Sequence, residues 1–198
     1  SYVMQDVFLF SDTINDNIKL GKKECLDFKT VRRASVQAQA SGFIERMEEA
    51  YDTVIGERGV GLSGGQKQRI SIARALAKRD PILVMDDSTS ALDMETEQMI
   101  QQTLKELGNT TKIIIAHRIS AVCHADEIIV LENGAIAERG THEELLARRG
   151  LYYETYESQY GEIPERMAQK EAGQQQAADT GQERRTDKGG ETYGCQLV

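Results

Sequence analysis

The sequence lacks a long apolar run, paired cysteines and a surplus of basic residues. Its longest apolar runs, at 82–85 and 113–116, have the length of strands, whereas a membrane-spanning helix needs ~20 apolar residues. The cysteines Cys25, Cys123 and Cys195 form no Cys-x-x-Cys pair, which indicates free thiols in a reducing cytosol. A formal net charge of −8 argues against a nucleic-acid-binding protein, because such proteins usually carry a basic surplus.

The start of the chain has no signal-peptide pattern and no initiating methionine. Residues 1–4 are already typical of the end of a buried strand, so we interpret the sequence as a fragment of a longer polypeptide. Its 198 residues leave room for one ordinary domain with a core of its own.

The spacing of apolar residues is helical over most of the segment 23–79. A strong helix is predicted from Ser63 to about Arg79, and Pro81 marks its end. The segment 52–61, which carries three glycines, is predicted to be a loop. Residues 23–79 are therefore expected to form a mainly helical part of the protein.

Short apolar runs replace the helical spacing after Pro81. The runs at 82–85 and 112–116 are typical of strands that are buried on both faces of a parallel sheet. A helix predicted at 94–107 lies between them and completes a β-α-β unit. The pattern predicts an α/β fold.

Two local signals organise the next part of the chain. Asn133-Gly134, between runs at 127–132 and 135–138, predicts a β-hairpin. Thr141 begins a capping box, which predicts a helix that is closed by Gly150.

The composition changes at the end of the chain. Residues 152–160 are predicted to form a short helix. From Gly161 onward the sequence has mixed charges and almost no large apolar residue, which predicts a disordered tail over 161–198.

The string Leu62-Ser63-Gly64-Gly65-Gln66 is the strongest chemical signal. Ser63 stands where a helix N-cap is expected, and the two glycines allow a ligand to approach the backbone closely. Free N–H groups and the helix dipole then make an anion site suited to a phosphate. The alternative interpretation is a glycine turn that serves only to start the helix. The acidic net charge does not exclude ATP, since backbone N–H groups and a metal can hold phosphates locally.

Candidate catalytic residues follow the predicted strands. Asp86 at the tip of a parallel strand can meet Mg²⁺, usually through water, and Asp87 can polarise an attacking water. The alternative is a pair of turn or capping aspartates. His117 follows the next strand, and its position one β-α-β unit after Asp86 favours a role at a γ-phosphate. The alternative is a histidine with a structural role only. Gln5 can bridge a metal ion and a water while its loop moves.

Together these strings resemble the exporter branch of the ATP-binding cassette (ABC) family over residues 1–158. The matching motifs are the Q-loop at Gln5, the X-loop at 52–59, the signature at Ser63, Gly64, Gly65 and Gln66, the Walker B aspartate Asp86, the D-loop at 90–93, the switch histidine His117 and a typical cassette end at 150–159.

The resemblance implies a P-loop NTPase-type α/β core with an α-helical signature subdomain. In this division, residues 1–22 are the Q-loop segment of the core, 23–79 are the helical subdomain and 80–158 are the C-terminal part of the core.

The resemblance also implies a mechanism. Two cassettes dimerise head to tail around two ATP molecules with Mg²⁺. Closure of this dimer drives the attached membrane domains, expected on the same full-length chain, to alternate access, and hydrolysis resets them. Gln5, Asp87 and His117 are then catalytic, and Asp86 and Gln5 serve the metal. Ser63, Gly64, Gly65, Gln66 and Asp93 bind nucleotide. The expected location is the cytoplasmic face of the cell membrane.

Three departures from the family pattern qualify these expectations. No G-x-x-x-x-G-K-S/T string occurs in the sequence, and the resemblance places this Walker A loop upstream of Ser1. Asp87 stands where the family has glutamate, and Met4 stands where the family often has proline. Because Asp87 is a shorter base, we predict a heterodimer with a non-identical partner and unequal ATP sites. The alternative is a homodimer in which aspartate is tolerated at this position. We also predict that this chain alone does not hydrolyse ATP.

Two other functions remain open from the sequence. One is an ABC ATPase without transport, as in DNA-repair and translation factors, although 52–59 and the stretch 8–18 resemble segments that contact exporter membrane domains. The other is a non-catalytic fragment or regulatory partner, which the missing Walker A loop and Asp87 favour for the isolated chain.

Overall fold

A computed structural model describes residues 1–161 and the backbone of 195–197. Internal contacts divide the chain into two compact units, residues 1–116 and 117–198. Each unit is described by itself. This division at residue 116 differs from the predicted division between the core and a helical subdomain at 23–79. The predicted division stays a prediction.

The first unit contains five strands and five α-helices. The strands are β1 (Tyr2–Val3), β2 (Asp12–Thr13), β3 (Val54–Ile55), β4 (Ile82–Asp86) and β5 (Thr111–Ile115). The helices are α1 (Ile14–Lys19), α2 (Phe28–Gln37), α3 (Ser41–Ile44), α4 (Gly64–Lys78) and α5 (Met94–Glu106), with 3₁₀ turns at Ala50–Asp52 and Glu57–Gly59.

Strands β1, β4 and β5 form a parallel arrangement with β4 in the middle. Val84 pairs with Tyr2 on one side and with Ile113 on the other. Helix α5 connects β4 to β5, as the predicted β-α-β unit requires. Because all three strands run in the same direction, Asp86 lies at their common carboxyl edge, where α/β sheets commonly bind ligands.

The prediction that β4 is buried on both faces is wrong. Leu83 and Met85 are buried, but Ile82 is 51% exposed and Val84 is half-buried. Successive side chains of a strand point to opposite faces. The described residues therefore cover one face of β4 completely and the other only in part.

Helix α4 forms where the sequence predicts it. Ser63 caps its first turn, and Arg79 ends it in a left-handed conformation with φ of 51°. Its buried residues include Ile70, Ala73 and Leu76, and the helix packs on α1, α2 and β1. Apolar burial of this kind stabilises a helix more than intrinsic propensity does.

The predicted loop at 52–61 contains more structure than expected. It includes β3, which pairs antiparallel with β2 through Ile55 opposite Asp12 and Val54 opposite Thr13. Two-residue strands are too short to produce a periodic pattern. Their pairing joins segments far apart in the chain, so no local signal reports it.

The second unit contains α6 (Ile119–Val122), β6 (Glu127–Glu132), β7 (Ala135–Gly140), α7 (His142–Arg148), α8 (Leu151–Tyr160) and β8 (Cys195–Leu197). The predicted hairpin is confirmed, since β6 and β7 pair antiparallel around Asn133 and Gly134. Both turn residues have positive φ, 51° and 77°, which is the requirement of a type I′ turn.

The predicted helix at Thr141 is also confirmed, with one difference at its end. Thr141 and Glu144 form a reciprocal capping box at the start of α7. The helix ends at Arg149, with φ of 54°, rather than at Gly150, which is instead the N-cap of α8. A Cβ at position 150 would collide with the carboxylate of Glu138, so the structure favours glycine there.

Most of the predicted disordered tail, 162–194 and 198, lies outside the described residues. At 195–197 the structure has strand β8, which pairs parallel with β6. The backbone N–H and C=O groups of a strand edge favour such pairing whatever the side chains are. Among the residues that the structure describes, no helix combines the length and the apolar character needed to cross a bilayer.

Candidate functional site

The carboxyl edge of β4 collects three predicted site residues of the first unit. Asp86 is the last residue of the strand, and its Oδ2 accepts a hydrogen bond from the Tyr2 hydroxyl at 2.7 Å. This hydrogen bond raises the pKa of Tyr2 above its usual value. The sequence analysis missed Tyr2. The contact depends on the register of β1 on β4, which pairs Tyr2 with Val84 on the same face as residue 86, and no local signal in the sequence reports that register.

Asp87 occupies an unusual backbone conformation with φ of 40°. Non-glycine residues in this region cost energy and concentrate at functional sites. The conformation is held by the Asp87 N–H, which donates to Ile115 at 2.8 Å, and by the Ser90 hydroxyl, which donates to the Asp87 carbonyl at 2.9 Å. Gln5 Nε2 lies 3.5 Å from Asp87 Oδ2, so the structure brings Gln5 and both aspartates to one edge.

The signature residues begin helix α4 as the sequence predicts. Ser63 Oγ accepts from the Gln66 N–H at 3.3 Å, and Gln66 Oε1 accepts from the Ser63 N–H at 2.9 Å. This capping box uses neither the Gly64 nor the Gly65 N–H, the first two amide groups of the helix. Those donors, at the positive end of the helix dipole, are suited to bind an anion.

The loop after Asp87 packs directly against the signature. A Cβ at Gly65 would lie 3.0 Å from the Ala91 carbonyl oxygen, so only glycine allows this close approach without displacing the backbone. Gln68, which is buried, accepts from the Ala91 N–H at 3.1 Å. Gln68 is a second residue that the sequence analysis missed, since a glutamine on a helix has no distinguishing local signal.

Asp93, predicted to bind nucleotide, caps helix α5 in this structure. Its two carboxylate oxygens accept from the backbone N–H and the hydroxyl of Thr96, each at 2.9 Å. The hydrogen bond from the Thr96 backbone N–H is the main cause that lowers the pKa of Asp93. The observed contacts of this carboxylate are therefore those of a helix cap.

Arg74 connects the signature helix to the segment that follows Gln5. Its guanidinium donates to the carbonyls of Asn17 and Phe8, at 2.8 and 3.1 Å, and to Asn17 Oδ1 at 3.1 Å. Burial lowers the pKa of Arg74 to about 10, which leaves it charged at neutral pH. Arg74 was not predicted as a functional residue.

His117 is the first residue of the second unit. Its carbonyl accepts a hydrogen bond from Gln159 Nε2 at 2.7 Å, and Gln159 Oε1 accepts from the Ile119 N–H at 3.0 Å. Gln159 lies on α8 and was not singled out in the sequence.

Comparison with known proteins decides the family. The ABC transporter family matches residues 1–90. An uncharacterized ABC transporter ATP-binding protein of Bacillus subtilis is 52% identical over 162 residues, which are 81% of this chain and 28% of that protein. The chain belongs to the ABC transporter family.

Other relatives of this ABC protein are exporters. The ATP-dependent lipid A-core flippase of Salmonella typhimurium is 50% identical over 161 residues, 81% of this chain and 28% of the flippase. A putative multidrug export ATP-binding/permease protein of Staphylococcus aureus is 51% identical over 158 residues, 79% of this chain and 27% of that protein.

A solved structure agrees with these relatives. A bacterial Atm1-family ABC exporter with ATP bound matches with a TM-score of 0.78 and 45% identity, covering 82% of this chain and 29% of that chain. The predicted family and the predicted α/β fold class are confirmed: the chain is part of an ABC cassette of the exporter type. It spans about 28% of the length of its curated relatives.

Proposed function

We propose that this chain is the C-terminal part of the nucleotide-binding domain of an ABC exporter that uses ATP to move a small molecule across a membrane. ATP binding and hydrolysis are general properties of the family. The observation that carries the proposal is the start of α4, where the capping box leaves the Gly64 and Gly65 N–H groups for a phosphate. In this proposal the helical subdomain comprises 23–79, and the core comprises 1–22 and 80–158.

The carboxyl edge of β4 suits Mg²⁺. Asp86, Asp87 and Gln5 supply carboxylate and amide oxygens, the ligand type that Mg²⁺ prefers. Among the described residues there is no cluster of three histidine, cysteine or acidic side chains that could hold a metal. An Mg²⁺ ion at this edge would keep waters and substrate phosphates as further ligands. We propose that Asp86 and Gln5 hold the ion and that His117 contacts the γ-phosphate.

The length of Asp87 is the basis for proposing two unequal ATP sites. An aspartate carboxylate is drawn back by about 1.5 Å, one C–C bond, relative to glutamate. A general base must lie within ~3 Å of its proton or one water away, and a misplacement of ~1 Å can cost on the order of 100-fold in rate. The site built on Asp87 therefore binds ATP and hydrolyses it slowly.

The intact signature of this chain has a different consequence. In the proposed head-to-tail dimer, Ser63 and Gly65 complete the ATP site of the other cassette. A partner with glutamate at the position of Asp87 then provides one fully active site, so the proposed assembly is a heterodimer with one degenerate site. A homodimer would repeat the weak base at both sites.

A groove in the first unit supports attachment to membrane domains. Phe8 and Phe10 are 49% and 46% exposed, with their rings in edge-to-face contact at 4.9 Å. They line a groove of about 600 Å³ together with Glu57 and Arg58. Exposed aromatic side chains beside charged ones are typical of protein interfaces. We propose that transmembrane domains, on the same full-length chain, dock here at the cytoplasmic face of the cell membrane.

A non-catalytic regulatory partner is the second candidate function. Its support is Asp87, which stands where the resemblance has glutamate. If the protein is a catalytic exporter, the full-length complex should have ATPase activity that depends on Ser63. If it is a regulatory partner, no ATPase activity should depend on Ser63.

The test compares variants in the reconstituted full-length complex. Ser63→Arg places a large cation at the phosphate-binding helix start and should abolish most ATPase activity, whereas Asp87→Asn should change it little. Ser158→Arg, on an exposed helix position, is the matched control and should leave activity intact. If Asp87→Asn removes the activity, Asp87 is a working base and the asymmetric assignment is wrong.

A further inference from the structure

We infer that Gln159 is a positioning residue that fixes the backbone turn carrying His117, an inference that rests on the proposed role of His117 at the nucleotide. Its side-chain amide donates to the His117 carbonyl at 2.7 Å and accepts from the Ile119 N–H at 3.0 Å. One amide thus holds the backbone on both sides of Arg118.

The conformation of Arg118 makes this two-point contact possible. Its φ of −99° and ψ of 129° are those of an extended strand. In an extended residue, the preceding carbonyl and the following N–H point to the same side of the backbone. The His117 carbonyl and the Ile119 N–H therefore face Gln159 together, as they would face a neighbouring strand.

Gln159 also supplies the cap that helix α6 lacks locally. The first N–H groups of a helix need acceptors from outside its own backbone. Arg118, the N-cap residue, makes no capping hydrogen bond with its side chain. The Ile119 N–H instead finds the Gln159 amide oxygen, 40 residues away in the chain.

The primary amide of Gln159 satisfies both groups at once. A carboxylate has no donor for the His117 carbonyl, and an apolar side chain has neither a donor nor an acceptor. Asparagine has the same groups but is shorter by about 1.5 Å. We call this two-point contact of Gln159 with the His117 carbonyl and the Ile119 N–H the clamp; replacement by a carboxylate or an apolar side chain removes one or both of its hydrogen bonds.

The helix that carries Gln159 is itself held at its start. The Glu138 carboxylate accepts from the Leu151 and Tyr152 N–H groups at 2.8 and 3.1 Å, where negative charge also complements the helix dipole. The buried Tyr152 hydroxyl lies 2.8 Å from His142 Nδ1. Helix α8 is thus anchored to β7 and α7, so it can present Gln159 in a fixed place.

The experiment uses the full-length protein and two readouts. The first is hydrogen exchange at the Ile119 amide, which should become about 3–10-fold faster in Gln159→Leu, as expected for one lost hydrogen bond. The second is the dissociation rate of radiolabelled ATP, with His117→Ala as the reference. Gln102→Leu is the matched control, because among the described residues the Gln102 amide bonds to Glu106 on the same helix.

The expected result is a specific pattern among the variants. Gln159→Leu and Gln159→Glu should both speed ATP release by about 10-fold or more, and Gln102→Leu should not. The double variant Gln159→Leu/His117→Ala should release ATP no faster than His117→Ala alone, because residues that act through one another are not additive. A general loss of stability would instead add to the effect of His117→Ala.

The failures can be told apart. If His117→Ala speeds release and Gln159→Leu does not, the inference about Gln159 is overturned and the proposed function stands. If His117→Ala itself has no effect, the proposed role of His117 fails, and the inference falls with it. Unchanged exchange at Ile119 in Gln159→Leu would overturn the clamp directly.

Discussion

Replacing Arg74 should destabilise the first unit by an amount that its contacts allow us to estimate. The guanidinium serves three acceptors, the carbonyls of Phe8 and Asn17 and the Asn17 side-chain oxygen. Asn17 Oδ1 keeps a second donor, the Phe10 N–H at 2.9 Å. In Arg74→Met, the two backbone carbonyls therefore lose the donors that Arg74 supplies.

Neither carbonyl is left without a partner, because the Asn17 carbonyl keeps the Leu20 N–H at 3.4 Å and the Phe8 carbonyl, whose hydrogen bond is exposed, can bond water. The loss is therefore that of the hydrogen bonds themselves, ~0.5–3 kcal/mol each. Removing a buried charge returns part of this cost, because burial already disfavours the charged form of Arg74. We expect Arg74→Met to lower the free energy of unfolding by ~1–3 kcal/mol, the cost of the lost hydrogen bonds less the relief from no longer burying the charge. Arg74→Lys should lose about half as much, since an ammonium keeps the charge but not the planar fork.

The assay is urea unfolding of the full-length protein, followed by a probe in the first unit. Arg33→Met is the control, because Arg33 lies exposed on α2 and its loss should cost no more than ~0.5 kcal/mol. The pKa of Arg74 is depressed to about 10, so its deprotonation adds stability only as pH rises through 10. The difference between wild type and Arg74→Met should therefore be constant from pH 6 to 9. Equal unfolding midpoints for Arg74→Met and Arg33→Met would refute the reasoning.

Three further predictions concern the second unit, a helix cap and the isolated chain. Gly150→Ala should destabilise the second unit by ~1–3 kcal/mol, because its Cβ collides with the Glu138 carboxylate; Gly108→Ala, which meets nothing within 4 Å, is the control in the same melting experiment. The Asp93 carboxylate, whose pKa is lowered in the folded protein, contributes stability that is present above its unfolded pKa, near 3.8, and is lost as pH falls through the lower folded pKa. In Asp93→Asn, the free energy of unfolding should lack this loss at acid pH. The same dependence of stability on pH in the variant and the wild type would contradict the cap. The purified 198-residue chain should not hydrolyse ATP measurably, because its sequence has no Walker A string, and robust turnover free of contaminating ATPase would contradict this.

The sequence alone determined those elements whose signals are local. Ser63 is predicted as a helix N-cap and Thr141 as the start of a capping box, and both helices begin at these residues. Gln66 completes a capping box with Ser63 that the sequence analysis did not predict. Asn133-Gly134 specifies its hairpin because both residues tolerate positive φ. The same locality made the ABC motifs recognisable, since each motif is a short contiguous string.

Tertiary structure alone decided which distant residues meet. Tyr2 bonds Asp86 across 84 positions, Arg74 bonds Asn17 across 57, and Gln159 bonds His117 across 42. In each case one partner is an ordinary surface-type side chain whose local sequence is compatible with many surroundings. Strand register and helix packing bring such residues together only after the chain has folded, so their roles cannot be read from neighbouring positions in the sequence.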